Sequence, residues 1–448
     1  HHPAENTIAF NEVFNLGRKL FTEYVPVSGL YSLVQGAFLQ LFGDGKYTAY
    51  SLANNVFYLV IIILTVVALR LHLNSLMTLL LASFIYISDY SRVALILPFM
   101  LILLSKRLVK RPVWWAITWV LFGWAYGLYY PAYGAAIIVS MLPLAACQVP
   151  GFIGSFQQGS IRVKSIYMAA MIVLTGLIVA SLPVLIGMAQ HVMDMSDGLL
   201  YVDGVTAFAQ ANPSGFLGYL NYNDKLYTFR MMLCYIVRFS GPAAVLWVGF
   251  CAVLNVFSKE QRKGREILKL TSDEASMLAA LIFPAVCFYF SLYRIGAWSL
   301  FDRAVHIIAF SLLILIVVLY EYGKDDENKY ILLLIGCILC ALANTSGIAK
   351  LDEHFYTEYS VGDDYVYVEE DARTPNLGKG FVQQDLYSQI RTAADRFSSL
   401  DPDRNYFMLF TADYGDYMHG MAFDQILNIK GTSLLESMVV RGYSITKD

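Results

Sequence analysis

The sequence predicts an all-α polytopic membrane protein with about ten transmembrane helices and a small C-terminal α/β domain. Of its 448 residues, 57% are hydrophobic and 15% are charged, whereas a soluble domain carries about 25% charged residues. The apolar residues form long blocks, several of which reach the roughly 20 residues that a helix needs to cross a bilayer. The net charge of −3 is small. The sequence has no basic stripe of the kind that would indicate a nucleic-acid partner.

Ten apolar runs are predicted to span the membrane, at residues 51–70, 74–88, 93–105, 113–129, 134–149, 165–190, 231–257, 275–293, 304–320 and 330–347. Basic residues gather at 106–111 and 259–269, and both clusters fall on the same side of the membrane under this topology. The positive-inside rule assigns that side to the cytoplasm. The first fifty residues, the turn 88–92 and the tail after Gly347 then lie outside, so both visible termini are predicted to be extracytoplasmic.

Three regions follow from this topology: an extracytoplasmic loop at 1–50, a transmembrane domain at 51–347 and an extracytoplasmic domain at 348–448. Residues 17–43 mix apolar and polar side chains as interfacial amphipathic helices do. Pro26 and Gly29 divide this stretch, so we expect two short helices on the outer membrane face. The tail is acidic and aromatic, with strand-like YVYVE and NYFMLF around a helical QQDLYSQIRTAADRFSSL.

Ionisable side chains are concentrated at the outer ends of the predicted spans. Such groups are costly at membrane depth, which makes them candidates for function. Carboxylates come early in the chain and arginines come mostly late, so the fold is expected to form a pocket with a negative and a positive wall. That arrangement suits a general base that faces an anionic leaving group.

The N-terminal stretch also carries a family resemblance. HHPAE, then Gly17, E-Y-x-P at 23–26 and Gly29-Leu30 ahead of a span resemble the first external loop of the GT-C membrane glycosyltransferases. The resemblance implies transfer of a sugar from a polyprenyl-phosphate carrier on the outer face. It further implies a helix ahead of His1, the eleventh, with an acidic residue at its outer end. A second acidic residue is expected after the third helix, where this chain has Asp89.

The candidate site combines these groups. Glu5 and Asp89 are predicted to activate the acceptor hydroxyl or to hold a divalent cation, Mg²⁺ or Mn²⁺, with His1 and His2 as further metal ligands. The predicted substrate- and phosphate-binding residues are Glu23, Arg92, Arg294, Arg303 and His306. Arginine binds phosphate bidentately, which favours Arg294 and Arg303 as the clamps on the leaving group. The alternative for each is an ordinary solvated charge or an interfacial anchor.

Aromatic side chains also gather at the outer end of the fourth span. Tyr126, Tyr129, Tyr130 and Tyr133 could stack on a sugar or hold a prenyl chain, but they are more typical of an aromatic belt at the lipid interface.

The sequence therefore predicts a GT-C-type glycosyltransferase in a bacterial cytoplasmic membrane. Its expected partners are the lipid bilayer, a polyprenyl-phosphate sugar donor and a glycan, lipid or protein acceptor. A protein partner of the C-terminal domain is an additional hypothesis. Three alternatives stay open: a polymerase or ligase of lipid-linked glycans, a transporter or flippase, and a non-enzymatic membrane scaffold. A transporter would show inverted repeats and midplane charges, neither of which the sequence displays.

Overall fold

The computed structural model describes residues 13–14, 17, 19–20, 30–87, 95–197, 271–292, 313–322, 331, 334 and 362–400. These residues are mostly helical, with one small sheet. They fall into two compact units. One holds the described residues before Ile61, those from Pro183 to 197 and those after Asp352, and the other holds the remainder.

In chain order, the first elements are α1 at Tyr31–Gly43, a 3₁₀ turn at Tyr47–Ala49, α2 at Tyr50–Leu69 and α3 at Ser75–Ile87. They continue with α4 at Leu97–Leu104, α5 at Lys106–Val109, α6 at Pro112–Tyr129, α7 at Pro131–Ser140, α8 at Leu142–Gln158 and α9 at Ile161–Asp197. After the next described residue, Thr271, come α10 at Ser272–Leu292 and α11 at Leu313–Tyr322. The C-terminal elements are β1 at Tyr365–Val368, β2 at Gly380–Gln383 and α12 at Gln384–Leu400.

Two helices in the described residues are long and apolar enough to cross a membrane, at Tyr47–Leu69 and Ile161–Gln190. The second of these is almost entirely exposed, with large apolar residues such as Ile172, Val173 and Val179 on its surface. Trp114 and Trp124 of α6 contact this helix at Tyr167 and Ser181, but most of its apolar surface is uncovered. Such a helix is stable in lipid because its backbone hydrogen bonds are all internal. The chain is therefore membrane-associated, and the remaining predicted spans stay predictions.

The predicted span at 134–149 is bent. Helices α7 and α8 meet at Met141 with an angle of 56° and together pass the test for a third span. Pro143 lies in the first turn of α8, where a proline lacks the N–H that would continue the hydrogen bonds of the preceding helix. The sequence predicts a single span here because the run 134–149 is mostly apolar.

Helices α6 and α7 form a tight antiparallel hairpin. Tyr130 is extended, with φ −151° and ψ 101°, as the residue before a proline tends to be. Gly134 lies so close to α6 that an added Cβ would be 2.3 Å from the backbone nitrogen of Gly127. Small residues allow such close helix contacts in membranes, where packing rather than water exclusion drives association.

Helix α10 packs against α7 and α8 and starts with a capping box. Thr271 Oγ1 accepts from the backbone N–H of Glu274 at 3.2 Å, and Glu274 Oε2 accepts from the backbone N–H of Thr271 at 2.8 Å. These reciprocal bonds satisfy two backbone donors at the helix start. Ala275, Ala279 and Phe283 on this helix are fully buried.

In the other unit, β1 and β2 pair antiparallel, with Tyr367 opposite Phe381 and Val366 opposite Val382. Alternate side chains of a strand point to opposite faces. One face packs with α12 around a small core of Val368, Leu377, Val382 and Ile390. The strand YVYV and helix α12 confirm two sequence predictions, whereas β2 was not predicted and NYFMLF lies outside the described residues.

Candidate functional site

The residues that the sequence predicts for the site lie outside the described part of the chain. They are His1, His2, Glu5, Glu23, Asp89, Arg92, Arg294, Arg303 and His306. The structure therefore places none of them, and their roles stay predictions. Among the described residues, helix α1 and the loop that follows it lead into the first span. They are close in sequence to the predicted site residue Glu23, and their contacts are described next.

Helix α1 is the second of the two predicted interfacial helices. It buries Leu33 and Leu39 and exposes Leu41 and Phe42. The helix ends at Gly43, where Asp44 takes a left-handed conformation with φ 48°, a common way to close a helix. Residues 44–49 connect α1 to α2. This short stretch, 44–49, is called the entry loop below.

The C-terminal domain binds the entry loop through backbone hydrogen bonds. The N–H of Tyr47 donates to the carbonyl of Asn376 at 2.8 Å, and the N–H of Thr48 donates to the carbonyl of Leu377 at 3.0 Å. Lys46 Nζ donates to the carbonyl of Pro375 at 2.5 Å. Because these bonds fix successive residues on both segments, the two chain segments are held in one register.

Glycine makes this approach possible. At Gly378, with φ +79°, an added Cβ would lie 2.7 Å from Lys46 Cβ and 2.7 Å from Thr48 Oγ1. Any larger residue would therefore both strain the backbone and push the entry loop away. Tyr47 packs on the core of the C-terminal domain. The contact combines hydrogen bonds with apolar burial.

An ion-pair network shapes the loop 371–380 that makes these contacts. Asp371 Oδ2 accepts from Arg373 Nη2 at 2.6 Å, and Asp371 Oδ1 accepts from the Arg373 backbone N–H at 2.8 Å. Arg373 Nη1 also donates to Asp395 Oδ1 of α12 at 2.6 Å. These hydrogen bonds lower the pKa of Asp371 to about 2, with Arg391 adding a smaller charge effect.

We expect acid to weaken the contact with the entry loop. A carboxyl whose pKa is lowered on folding stabilises the fold above its ordinary pKa of 3.8, and this contribution is lost as the pH falls towards 2. Asp371→Asn should raise amide hydrogen exchange of residues 374–380 roughly threefold at pH 7. The difference between native and variant protein, compared at the same pH by mass spectrometry, should shrink between pH 4 and pH 2 and disappear below pH 2. A difference that is equal at pH 7 and pH 2 would contradict the role of the ionised carboxylate.

A second polar cluster lies in the other unit, where the ends of α2, α4 and α11 meet. His72 is completely buried and its Nδ1 bonds to Glu321 Oε2, while its Nε2 bonds to the carbonyl of Leu101 at 2.6 Å. A carbonyl only accepts, so Nε2 carries a hydrogen. The Nδ1 contact joins the buried imidazole to the carboxyl group of Glu321.

Glu321 also caps a helix. Its Oε1 accepts from the backbone N–H of Lys106 at 3.1 Å, at the start of α5, and its own carbonyl accepts from Lys106 Nζ at 2.7 Å. Tyr322 OH donates to the carbonyl of Leu104 at 2.7 Å. Lys106 belongs to the basic cluster 106–111, which is predicted to face the cytoplasm. Sequence reasoning missed the cluster because His72 and Glu321 each lie among other charged residues at the end of an apolar run, and nothing local pairs the two.

The tyrosine cluster differs from its prediction. Tyr126, Tyr130 and Tyr133 are buried, and the Tyr126 hydroxyl donates to the carbonyl of Leu95. The Tyr126 ring also packs on Phe99 at 4.8 Å between ring centroids. The interpretation as an aromatic belt at the lipid surface is therefore wrong for these three residues, because helix packing encloses them.

Within the described ranges, no group of three His, Cys, Asp or Glu side chains is arranged to hold a metal ion. The predicted cation ligands Glu5, Asp89, His1 and His2 lie elsewhere in the chain. A divalent cation accordingly stays a prediction.

Comparison of the chain with protein-family models, with curated proteins and with solved structures found no match.

Proposed function

We propose that the chain is an integral membrane glycosyltransferase of the GT-C type, with ten or eleven spans in a bacterial cytoplasmic membrane. The proposal rests on the candidate residues of the sequence and on one structural observation. That observation is the hydrogen-bonded contact between the entry loop and the loop 375–379 of the C-terminal domain. It supports an arrangement in which a folded water-side domain covers the point where the first loop enters the membrane.

The contact has a topological consequence for the proposal. Direct hydrogen bonds join residues 46–48 to residues 375–379, so the two segments share one side of a bilayer that α2 crosses. The predicted catalytic loop 1–50 and the C-terminal domain are then on the same side. An acceptor that enters beside the C-terminal domain would meet the lipid-borne donor at this surface.

The charge distribution favours this function over transport. In the span Tyr47–Leu69 no ionisable side chain follows Tyr58, and in the other span none lies between Tyr167 and Gln190. Transporters place substrate and ion sites near the membrane midplane, with charges or broken helices there. The bent pair α7–α8 has such a break, but no Asp, Glu, Lys, Arg or His lies between Tyr133 and Gln158. A transferase that works at the outer ends of its helices needs no such groups.

The proposed reaction is a displacement at the anomeric carbon. Glu5 or Asp89 takes the proton of the acceptor hydroxyl as its oxygen attacks that carbon. The bond between the anomeric carbon and the phosphate oxygen breaks, and its electron pair leaves with polyprenyl phosphate. Arg294 and Arg303, with Arg92 and His306, stabilise the phosphate charge, and Glu23 orients the loop or the acceptor.

The test is sugar transfer by the full chain in vesicles that contain a radiolabelled polyprenyl-phosphate sugar and a membrane-derived acceptor fraction. Glu5→Gln and Asp89→Asn should each be assayed, and the variant of the true base should lose about a hundredfold or more in rate. Glu12→Gln, in the same loop, is the matched control and should retain the native rate. Transfer that neither variant slows, or no transfer at all, would overturn the proposed function.

A further inference from the structure

The β-hairpin of the C-terminal domain has an aromatic outer face. Tyr365, Tyr367 and Phe381 are 47%, 50% and 55% exposed, although large apolar rings usually contribute to cores. The strand register places Tyr367 opposite Phe381 and Tyr365 opposite Gln383, so the four side chains share one face of the sheet. These four residues are called the aromatic face below.

The opposite face already supplies the core of the domain. Val368 and Val382 pack there with Ile390 of α12, so the rings of the aromatic face are not needed to bury the hairpin. The Tyr367 and Phe381 rings stand edge to face with their centroids 5.2 Å apart, a favourable aromatic geometry. The pair is thus a pre-ordered surface, and an ordered exposed aromatic surface is typical of a binding site.

The surroundings of this face indicate what it binds. Asp363 and Asp364 precede β1, and Glu369 and Glu370 follow it, all four exposed. Lys379, exposed directly before β2, offsets only one of these four charges, so the hairpin is net negative and is repelled by anionic lipid head groups. The rim therefore disfavours an anionic membrane and provides acceptors for hydroxyl or ammonium hydrogens.

A sugar ring has the complementary chemistry. One side of a pyranose carries C–H groups with partial positive charge, which stack on the negative face of an aromatic ring. Its rim carries hydroxyl groups that donate to carboxylate oxygens and exchange hydrogen bonds with the Gln383 amide and the tyrosine hydroxyls. Tyr365 and Tyr367 are about 7 Å apart along the strand, so the face is longer than one sugar ring.

We infer that the aromatic face is a glycan-binding surface for a neutral or amino-sugar chain. The inference rests on the proposed function, because a transferase that extends or decorates a glycan benefits from holding the acceptor chain beside the membrane. The loop that follows β1 also binds the entry loop, so a chain bound to the hairpin is retained close to the first span. Binding at this surface raises the local concentration of acceptor.

The test measures binding of cellohexaose, chitohexaose and maltohexaose to the full chain in phosphatidylcholine nanodiscs. Binding is detected by saturation-transfer NMR and calorimetry, and no polyprenyl-phosphate sugar is present. At least one of the three should bind, and Tyr367→Ala with Phe381→Ala should weaken it by about tenfold or more, which is about 1.4 kcal/mol. Tyr367→Phe should bind within threefold of the native chain. Gln389→Ala, an exposed change on α12, is the control and should leave binding unchanged.

Leucine variants separate stacking from general hydrophobic contact. Tyr367→Leu with Phe381→Leu keeps apolar area but has no aromatic faces, and it should bind as weakly as the alanine pair. Full binding by the leucine pair, or no binding of any of the three sugars, would overturn the inference. Capture of anionic phosphatidylglycerol vesicles that the alanine pair abolishes would also overturn it in favour of a lipid surface. The binding assay contains no donor, so its result does not depend on catalysis. If the transfer assay fails while sugar binding is intact, the proposed enzyme is rejected and the glycan-binding surface is retained.

Discussion

Glu321→Ala should lower the free energy of unfolding by about 3–5 kcal/mol. The substitution removes the acceptor of the buried His72 and of the Lys106 backbone N–H in one step. A buried donor that loses its partner costs its full desolvation penalty, and a buried charge costs more. The cluster also joins segments 249 and 215 residues apart in the chain, so its loss affects the packing of several helices.

The measurement is chemical unfolding of the purified chain in mixed detergent micelles, compared with Glu321→Gln. The glutamine variant is nearly isosteric: its oxygen can accept from Lys106, and its amide can donate to a neutral His72. It should therefore lose only about 1 kcal/mol. Equal losses for the alanine and glutamine variants would show that charge, and not hydrogen bonding, holds this cluster together.

Gly134→Ala should destabilise the α6–α7 hairpin by about 2–4 kcal/mol. The new Cβ would lie 2.3 Å from the backbone nitrogen and 2.5 Å from the Cα of Gly127. Backbone atoms cannot rotate away as a side chain can, so the helices must separate. Separation also disturbs the buried contacts of Tyr126 and Trp115 further along α6.

The matched control is Gly127→Ala, the same substitution on the facing helix. A Cβ at Gly127 meets no atom within 4 Å, and alanine is the better helix former by about 1 kcal/mol. This variant should be as stable as the native chain or slightly more so in the same unfolding experiment. Two variants of equal stability would mean that the helices approach less closely than described.

The local sequence pattern was sufficient to predict several secondary-structure elements. The apolar run at 51–70 predicts the helix found at Tyr50–Leu69, and the amphipathic stretch 383–400 predicts the helix found at Gln384–Leu400. Alternation in YVYV predicts the strand Tyr365–Val368. Each of these segments carries its own periodicity, so neighbouring residues alone define the backbone conformation.

Other features depended on distant partners. β2 reads GFVQ, which is too short and too glycine-rich to indicate a strand, and it becomes one by pairing with β1. The buried position of Tyr126 is set by Leu95 and Phe99 on a neighbouring helix. No local pattern signals either contact, because the residues that decide them lie many positions away.

The features around the candidate site also fall into two groups, those that the local sequence predicts and those that depend on distant residues. Composition and apolar blocks by themselves indicated a membrane-associated chain, since hydrophobic length is a sum over local sequence, and local periodicity indicated the strand Tyr365–Val368 and the helix Gln384–Leu400. Only the tertiary structure brought Tyr47 and Thr48 against Asn376 and Leu377, and His72 against Glu321. The physical reason is that a loop's conformation is fixed by the surface it meets, and that surface comes from residues more than two hundred positions away along the chain.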